Sequence, residues 1–306
     1  MKTATFVQAP RRKHLSRGEM LFKTILLILC VLILISILYP IYFILIASIS
    51  DSNLVGSGNV VFFPKGVNLY GYQKIFQDSR IWIGYKNTLV YTALGTIAAL
   101  FVTIPAAYAM SRPEFKARKY IMVFFMITMF FNGGIIPTYL LIKNLGMFNS
   151  VLVYIIPGAF GVYNMIITRT FIASNVPNDL FEAASIDGCS HFRYFFQIVV
   201  PLSKAVISVV MLYSIVGLWN NFFTGLLYIT KQGLKPLQNV LRSILLLNQA
   251  LAEGASGAGG EGGYAQRFAD QIKFGVIIVS TLPVIIIYPF LQKYFEKGVM
   301  IGAIKG

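Results

Sequence analysis

At 306 residues with a formal net charge of +15, the chain has the basic balance of a nucleic-acid binder, yet 57% of its residues are hydrophobic and only 12% charged. A mean hydropathy of +0.71 and the lack of any compact basic domain exclude a soluble globular domain and a nucleic-acid-binding protein. What remains is an integral membrane protein.

The first segment, 1–23, carries Lys2, Arg11, Arg12, Lys13, Arg17 and Lys23. The apolar run that follows, Thr24 to Ile49, is too long for the core of an export signal and has no small-residue cleavage site soon after it, so it is expected to stay as a span. A hydrocarbon core about 30 Å thick needs roughly 20 helical residues. Five further runs meet that length: Thr88 to Met110, Tyr120 to Ile142, Val151 to Ile172, Ala205 to Ile229 and Phe274 to Phe295. They are apolar on every face rather than alternating, which excludes a transmembrane barrel. The expected fold is an all-α bundle of six transmembrane helices covering 24–295, with a tail at 296–306.

Proline and glycine interrupt several runs, at Pro40, Gly95, Pro105, Gly133, Gly134, Pro137, Pro157, Gly158, Gly161, Gly217 and Pro283. Kinks are expected there, and the small residues also let helices approach closely. Basic residues set the orientation. The amino-terminal segment and the "SRPEFKARKY" turn, with Arg112, Lys116, Arg118 and Lys119, belong on the cytoplasmic side. Six spans then return the carboxyl terminus, with Lys293, Lys297 and Lys305, to the same side, and leave 50–87 and 230–273 outside. The Gly-rich stretch "LAEGASGAGGEGGYAQ" from Leu251 reads as a flexible linker in the last outer loop. The two cysteines, Cys30 in the first run and Cys189 between the fourth and fifth, are not placed to form a disulfide.

Between the fourth and fifth runs, the segment 173–203 bears charge. In "RTFIASNVPNDL", Asn175 or Asn178 can cap a helix, Pro177 marks its entry, and Asp179 and Glu182 suit the positive end of the helix dipole. A helix is expected from Asp179 to Ile186. Asp187-Gly188 ends it, because glycine accepts the left-handed conformation that a helix stop commonly requires. A second helix runs through "SHFRYFFQIVV" to Pro201, which closes it or bends it into the fifth span. Ala183 and Ala184 leave the first helix with a thin surface that another backbone can approach, and Glu182 and Asp187 offer carboxylates to a basic partner.

The spacing is specific: Glu182-Ala183-Ala184, three residues, Gly188, nine residues, Ile198, two residues, Pro201. Average residue frequencies produce it by chance on the order of once per million start positions. This segment resembles the coupling loop, the EAA motif, of permease subunits in ATP-binding-cassette importers, with Val200 where leucine is usual. The resemblance covers nearly the whole chain. "NVVFFPKGVNLYGYQKIF" and "YKNTLVYT" are similar to the outer loop and second span of MalG-type carbohydrate permeases. "MFFNGGIIPTYLLIKNLGMFNSVLVYIIPGAFGVYNMIITRTF" and "QKYFEKGVMIGAIKG" resemble the narrower LplC/YtcP branch, mostly assigned to oligosaccharides or polysaccharide fragments.

The resemblance implies a type I importer permease fold in a bacterial plasma membrane. It also implies a second related permease subunit, two ATPase subunits that bind ATP and magnesium, and an extracytoplasmic sugar-binding protein. Glu182, Ala183, Ala184, Asp187, Gly188 and Pro201 would then couple to the ATPase. The chain itself lacks a phosphate-cradling Gly-x-x-x-x-Gly-Lys-Ser/Thr loop, a nucleophile elbow and metal-ligand spacing, having only His14 and His191, so no enzyme activity, cofactor or metal is expected in it. No span core carries the carboxylate that a secondary transporter commonly uses. An importer of another small polar solute, such as a peptide or amino acid, is the alternative.

A sugar needs amide and hydroxyl partners and aromatic faces at membrane depth. The candidates are Trp219, Asn220, Asn221 and Phe222 in the fifth span, Tyr163 and Asn164 in the fourth, and Asn132 with Tyr139 in the third. Consecutive helical residues point about 100° apart, so only one or two of Trp219, Asn220 and Asn221 can face a cavity. The competing role for each amide is to hold helices together.

Overall fold

The computed structural model describes residues 16–255 and 272–289. Most of the basic segment 1–23, the bulk of the Gly-rich stretch and the tail 296–306 lie outside the described residues. Helix α1 spans Arg17–Ser48 and starts with a reciprocal cap: the Ser16 hydroxyl accepts from the Glu19 amide at 3.2 Å, and the Glu19 carboxylate accepts from the Ser16 amide at 2.9 Å. None of its most apolar stretch is buried against the described residues, and only Ile46, Ala47 and Ser48 at its end are covered. A helix apolar all round and uncovered belongs in lipid.

After short helices α2 (Ser52–Gly56) and α3 (Tyr70–Gln77), α4 runs over Ser79–Ser111 from an Asp78 cap whose carboxylate accepts from the Arg80 amide at 2.9 Å. Helix α4 is the centre of the bundle. It packs against α8 (Val162–Asn175), α12 (Lys204–Trp219) and α14 (Leu237–Ala255).

All six expected apolar runs are helical where described, but three are broken. α5 (Arg118–Phe130) and α6 (Ile135–Asn144) meet at 112°. Gly134 at the corner has φ +89, a conformation that glycine adopts without strain. The fourth run splits into α7 (Leu152–Ile155) and α8 around Pro157 and Gly158. The fifth splits into α12 and α13 (Phe222–Tyr228) at Asn220-Asn221. Helix α15 (Ile272–Pro289) is continuous. Pro40, Pro105, Gly95, Gly217 and Pro283 sit inside continuous helices, so one such residue by itself does not break a helix here.

Two expectations need correction. The segment 230–273 is not simply an outer loop: α14 fills much of it, and Leu251–Ala255 of the expected linker are helical. Apolar residues at helical spacing, Leu237, Val240, Leu241 and Ile244, bury α14 in a core with Ile75, Ile81, Trp219, Val276 and Val279. Neither Asn175 nor Asn178 caps the helix after Pro177. Pro177 itself is the cap residue, Asn178 is the first helical residue, and the Asn175 amide donates back to the Phe171 carbonyl at 3.0 Å.

The N-terminal half of α4 fixes the turn before α14. The Asn87 amide donates to the carbonyls of Gly233 and Lys235 at 2.9 and 3.0 Å, and the Tyr91 hydroxyl to that of Leu234 at 2.8 Å. The C-terminal half of α4 enters a second core with Met165, Ile172, Val176, Tyr194, Phe195 and Val199. That core carries the charged loop.

Candidate functional site

The loop after α8 is built as two short helices on this second core. Helix α9 covers Asn178–Ile186, and Gly188 follows with φ +71. The Cys189 amide donates to the Ala184 carbonyl at 2.9 Å and the Gly188 amide to the Ser185 carbonyl at 3.0 Å. This pair of bonds around a left-handed glycine is the Schellman stop, so the role expected of Asp187-Gly188 as a terminator is realised in detail. Ser190 then caps α10 (His191–Tyr194), its hydroxyl accepting from the Arg193 amide at 3.3 Å. The chain passes through a π-turn at Phe195–Val199 into α11 (Val200–Leu202), which holds Pro201. It bends by 79° at Ser203 into α12.

One face of α9 is held from below. The Phe181 ring stacks on His191 at 4.7 Å and meets Tyr194 edge-on at 5.1 Å. Beneath it lies Arg112, the residue that closes α4, with its guanidinium 4.0 Å from the Phe181 centroid. Arg112 is only 7% exposed and donates to the Glu114 carboxylate at 2.8 Å, which supplies the countercharge a buried guanidinium needs. Arg112 was not among the sequence candidates.

The opposite face of α9 is free. Glu182, Ala183, Asp187 and Gly188 are exposed and Ala184 is half-buried. Ile186 and Phe192, 87% and 76% exposed, stand beside them. Exposed apolar side chains next to two carboxylates, on a helix pinned from behind, form a surface suited to a protein partner.

A second feature lies where the breaks in the spans converge. A cleft of about 270 Å3 opens between α6, α7 and α13, lined by Asn132, Thr138, Phe223, Thr224 and Tyr228 among others. It brings together one amide, two hydroxyl-bearing threonines and two aromatic rings. Of the sequence candidates only Asn132 lines it; Thr138, Phe223, Thr224 and Tyr228 were not singled out.

The other candidates are placed elsewhere. Trp219 is 2% exposed, its indole N–H donating to the Ser280 carbonyl at 2.9 Å. The Asn220 amide donates to the Val216 carbonyl at 3.0 Å. The Asn221 side chain caps α13 by accepting from the Thr224 amide at 3.1 Å, so these residues do not follow one continuous helical spacing. Phe222 stands 5.6 Å from the Arg242 guanidinium, and Tyr139 stacks on Tyr228 behind the cleft at 5.9 Å. Tyr163 is exposed on α8, and beside it the Asn164 carbonyl accepts from the Thr168 hydroxyl, one turn on, at 2.8 Å.

Residues 81–301 match the family described as binding-protein-dependent transport system inner membrane component. The chain belongs to this family. Protein LplC of Bacillus subtilis (strain 168) is 36% identical to this permease over 267 residues, 87% of this chain and 89% of LplC. The polygalacturonan/rhamnogalacturonan transport system permease protein YtcP of the same organism is 35% identical over 268 residues, 87% of this chain and 92% of YtcP. Among solved structures, a chain from the crystal structure of a bacterial ABC transporter involved in the import of the acidic polysaccharide alginate is similar at a TM-score of 0.80 and 28% identity. That likeness covers 92% of this permease and 99% of that chain. The all-α permease fold and the role of inner membrane component expected from the coupling loop therefore hold. YtcP is named as a transport-system permease protein, and the alginate structure as an ABC transporter.

Proposed function

We propose that this permease is one half of the membrane path of an ATP-driven importer for oligosaccharides or polysaccharide fragments. The relatives named for polygalacturonan, rhamnogalacturonan and alginate carry the substrate class. A peptide or amino-acid substrate is not favoured by them. A second permease subunit completes the path, an extracytoplasmic binding protein delivers the sugar, and two ATPase subunits hold ATP and magnesium; this chain holds no nucleotide. Both termini and the α9 loop face the cytoplasm in this reading.

The observation that carries the mechanism is the two-sided setting of α9. Its exposed face, with Glu182, Ala183, Asp187 and Gly188 and the half-buried Ala184 at its edge, docks on an ATPase subunit. Its buried face passes displacement through Phe181 to Arg112 and so to α4, while the 79° bend after Pro201 passes it to α12. Since α4 packs on both α8 and α12, a shift of α9 reaches the helices around the cleft as a rigid-body motion. Within the path, the Asn132 amide and the Thr138 and Thr224 hydroxyls supply hydrogen bonds to sugar hydroxyls, and Phe223 and Tyr228 offer faces to the C–H surface of the ring. Trp219, Asn220 and Asn221 support this wall by fixing the break between α12 and α13.

The test is uptake by the complete complex in proteoliposomes. Labelled oligogalacturonides and neutral oligosaccharides should accumulate in an ATP-dependent manner when the binding protein is present. Accumulation of peptides or amino acids alone would overturn the substrate class.

A further inference from the structure

Two adjoining cavities at the coupling-loop end share Arg118 and Arg169 and differ in character. The first, about 220 Å3, is polar: Arg112, Arg118 and Arg169 line it with Ser111 and Asn178. The second, about 430 Å3, continues along α5 past Lys119 between Met122, Val123 and Met126. Positions 118, 122 and 126 follow one another at four-residue spacing, so they form one stripe on α5 that starts cationic and turns apolar.

The charge around the two cavities is not balanced within the described residues. Arg112 has Glu114, but Arg118, Lys119 and Arg169 have no carboxylate within ion-pair distance there. Arg169 is aimed by one bond, its Nε donating to the Met110 carbonyl at 3.2 Å, which leaves the outer guanidinium nitrogens available. Tyr108, 9% exposed, also lines this cavity, and its buried hydroxyl has no hydrogen-bond partner. A buried orphan hydroxyl beside unpaired guanidiniums is the setting of an absent anionic acceptor.

We infer that this pair of cavities binds one anionic phospholipid, with its phosphate between Arg118 and Arg169 and an acyl chain in the trough of Met122, Val123 and Met126. Bidentate guanidinium contacts suit a phosphate. The apolar trough running from the same two arginines distinguishes a lipid from a free phosphate, which has no use for it. The orientation also fits: α5 begins at Arg118 beside the coupling loop and leads away from it, so a headgroup lies at the interface and a tail points into the hydrocarbon. The site is separate from the cleft and from the exposed face of α9, and its test does not depend on transport.

The experiment is native mass spectrometry of the complete purified importer titrated with phosphatidylglycerol. The double variant Arg118→Gln/Lys119→Gln removes the cationic end, and Met122→Trp fills the trough without touching a charge. The wild type should bind one phosphatidylglycerol more per complex than either variant. Affinity at that site should fall roughly thirtyfold in the double variant, at about tenfold or less per basic residue near a membrane surface. Phosphatidylcholine should bind at least tenfold more weakly, and millimolar inorganic phosphate should leave the lipid in place. Equal phosphatidylglycerol binding in wild type and both variants would overturn the site. Normal binding in Met122→Trp alone, or displacement by inorganic phosphate, would overturn its assignment to a lipid.

Discussion

The guanidinium of Arg112 stands 4.0 Å from the centre of the Phe181 ring, joining the C-cap of α4 to the underside of α9. A desolvated cation over an aromatic face contributes about 2 kcal/mol. Arg112→Ala should therefore loosen α9 while leaving the bundle assembled, with amide hydrogen exchange in α9 rising about tenfold to thirtyfold and that in α12 unchanged. Arg112→Lys should recover only part, because an ammonium keeps the charge without the planar stacking surface. Unchanged exchange in α9 for Arg112→Ala would remove this contact from the account.

Gly188 has open space around the position a Cβ would take, so only its backbone, at φ +71, constrains substitution. An L-residue in that conformation costs about 1–2 kcal/mol, with asparagine tolerated best and β-branched residues worst. Gly188→Val should insert normally and lose most transport and substrate-stimulated ATP hydrolysis, and Gly188→Asn should retain both. Measuring the two variants side by side in proteoliposomes checks this; equal activity in both would show that the stop is not needed.

Far from the loop, Asn149 adopts φ 55, and its side-chain oxygen accepts from the Thr230 and Lys231 amides at 2.7 and 3.0 Å. This joins the turn before α7 to the end of α13. Asn149→Gly keeps the backbone conformation and loses the hydrogen bonds, while Asn149→Ala loses both. The complex should lose about 1–3 kcal/mol with Gly and more with Ala. Thermal unfolding of the purified complex gives the order, and a larger loss for Gly than for Ala would contradict it.

Trp219 and Asn132 separate packing from path. Trp219→Phe removes the indole bond to Ser280 inside the core and should lower stability by about 1–3 kcal/mol without changing the apparent affinity for sugar. Asn132→Ala, at the cleft, also loses the bond its side-chain oxygen accepts from the Gly134 amide at 2.9 Å, so it should lower stability by about 1 kcal/mol and, unlike Trp219→Phe, weaken apparent affinity by about fivefold, the equivalent of one hydrogen bond to sugar. Concentration-dependent uptake at matched expression distinguishes them.

These residues also show what the sequence makes legible. Gly188 is readable because its requirement is local: a left-handed stop four residues past an Ala-Ala pair needs no knowledge of the rest of the fold. The long apolar runs are readable for the same reason, since lipid imposes their length. Arg112 and Phe181 are distant in sequence, and only the packed core brings them together. The break at Asn220-Asn221 is hidden inside a run that hydropathy reads as continuous. Its local signal is the Asn221 side-chain oxygen three residues before Thr224, a cap pattern set among apolar neighbours. Helix α14 has a local signal in the spacing of Leu237, Val240, Leu241 and Ile244, masked by the Gly-rich stretch that follows it. The cleft was not legible beyond Asn132, because three chain breaks shape it, and their angles are tertiary.

The central claim is that the exposed face of α9 docks on an ATPase subunit, and a photo-crosslinking residue at Ala183 tests it most directly. Ala183 is exposed and its side chain is not part of the core that holds Phe181, so the label replaces a methyl group on the outer face. In the complete complex, irradiation should join this chain to the ATPase subunit from position 183 and not from Tyr120, which is exposed on α5. Failure to form that adduct from position 183, in a complex that still contains the ATPase and hydrolyses ATP, would contradict the account.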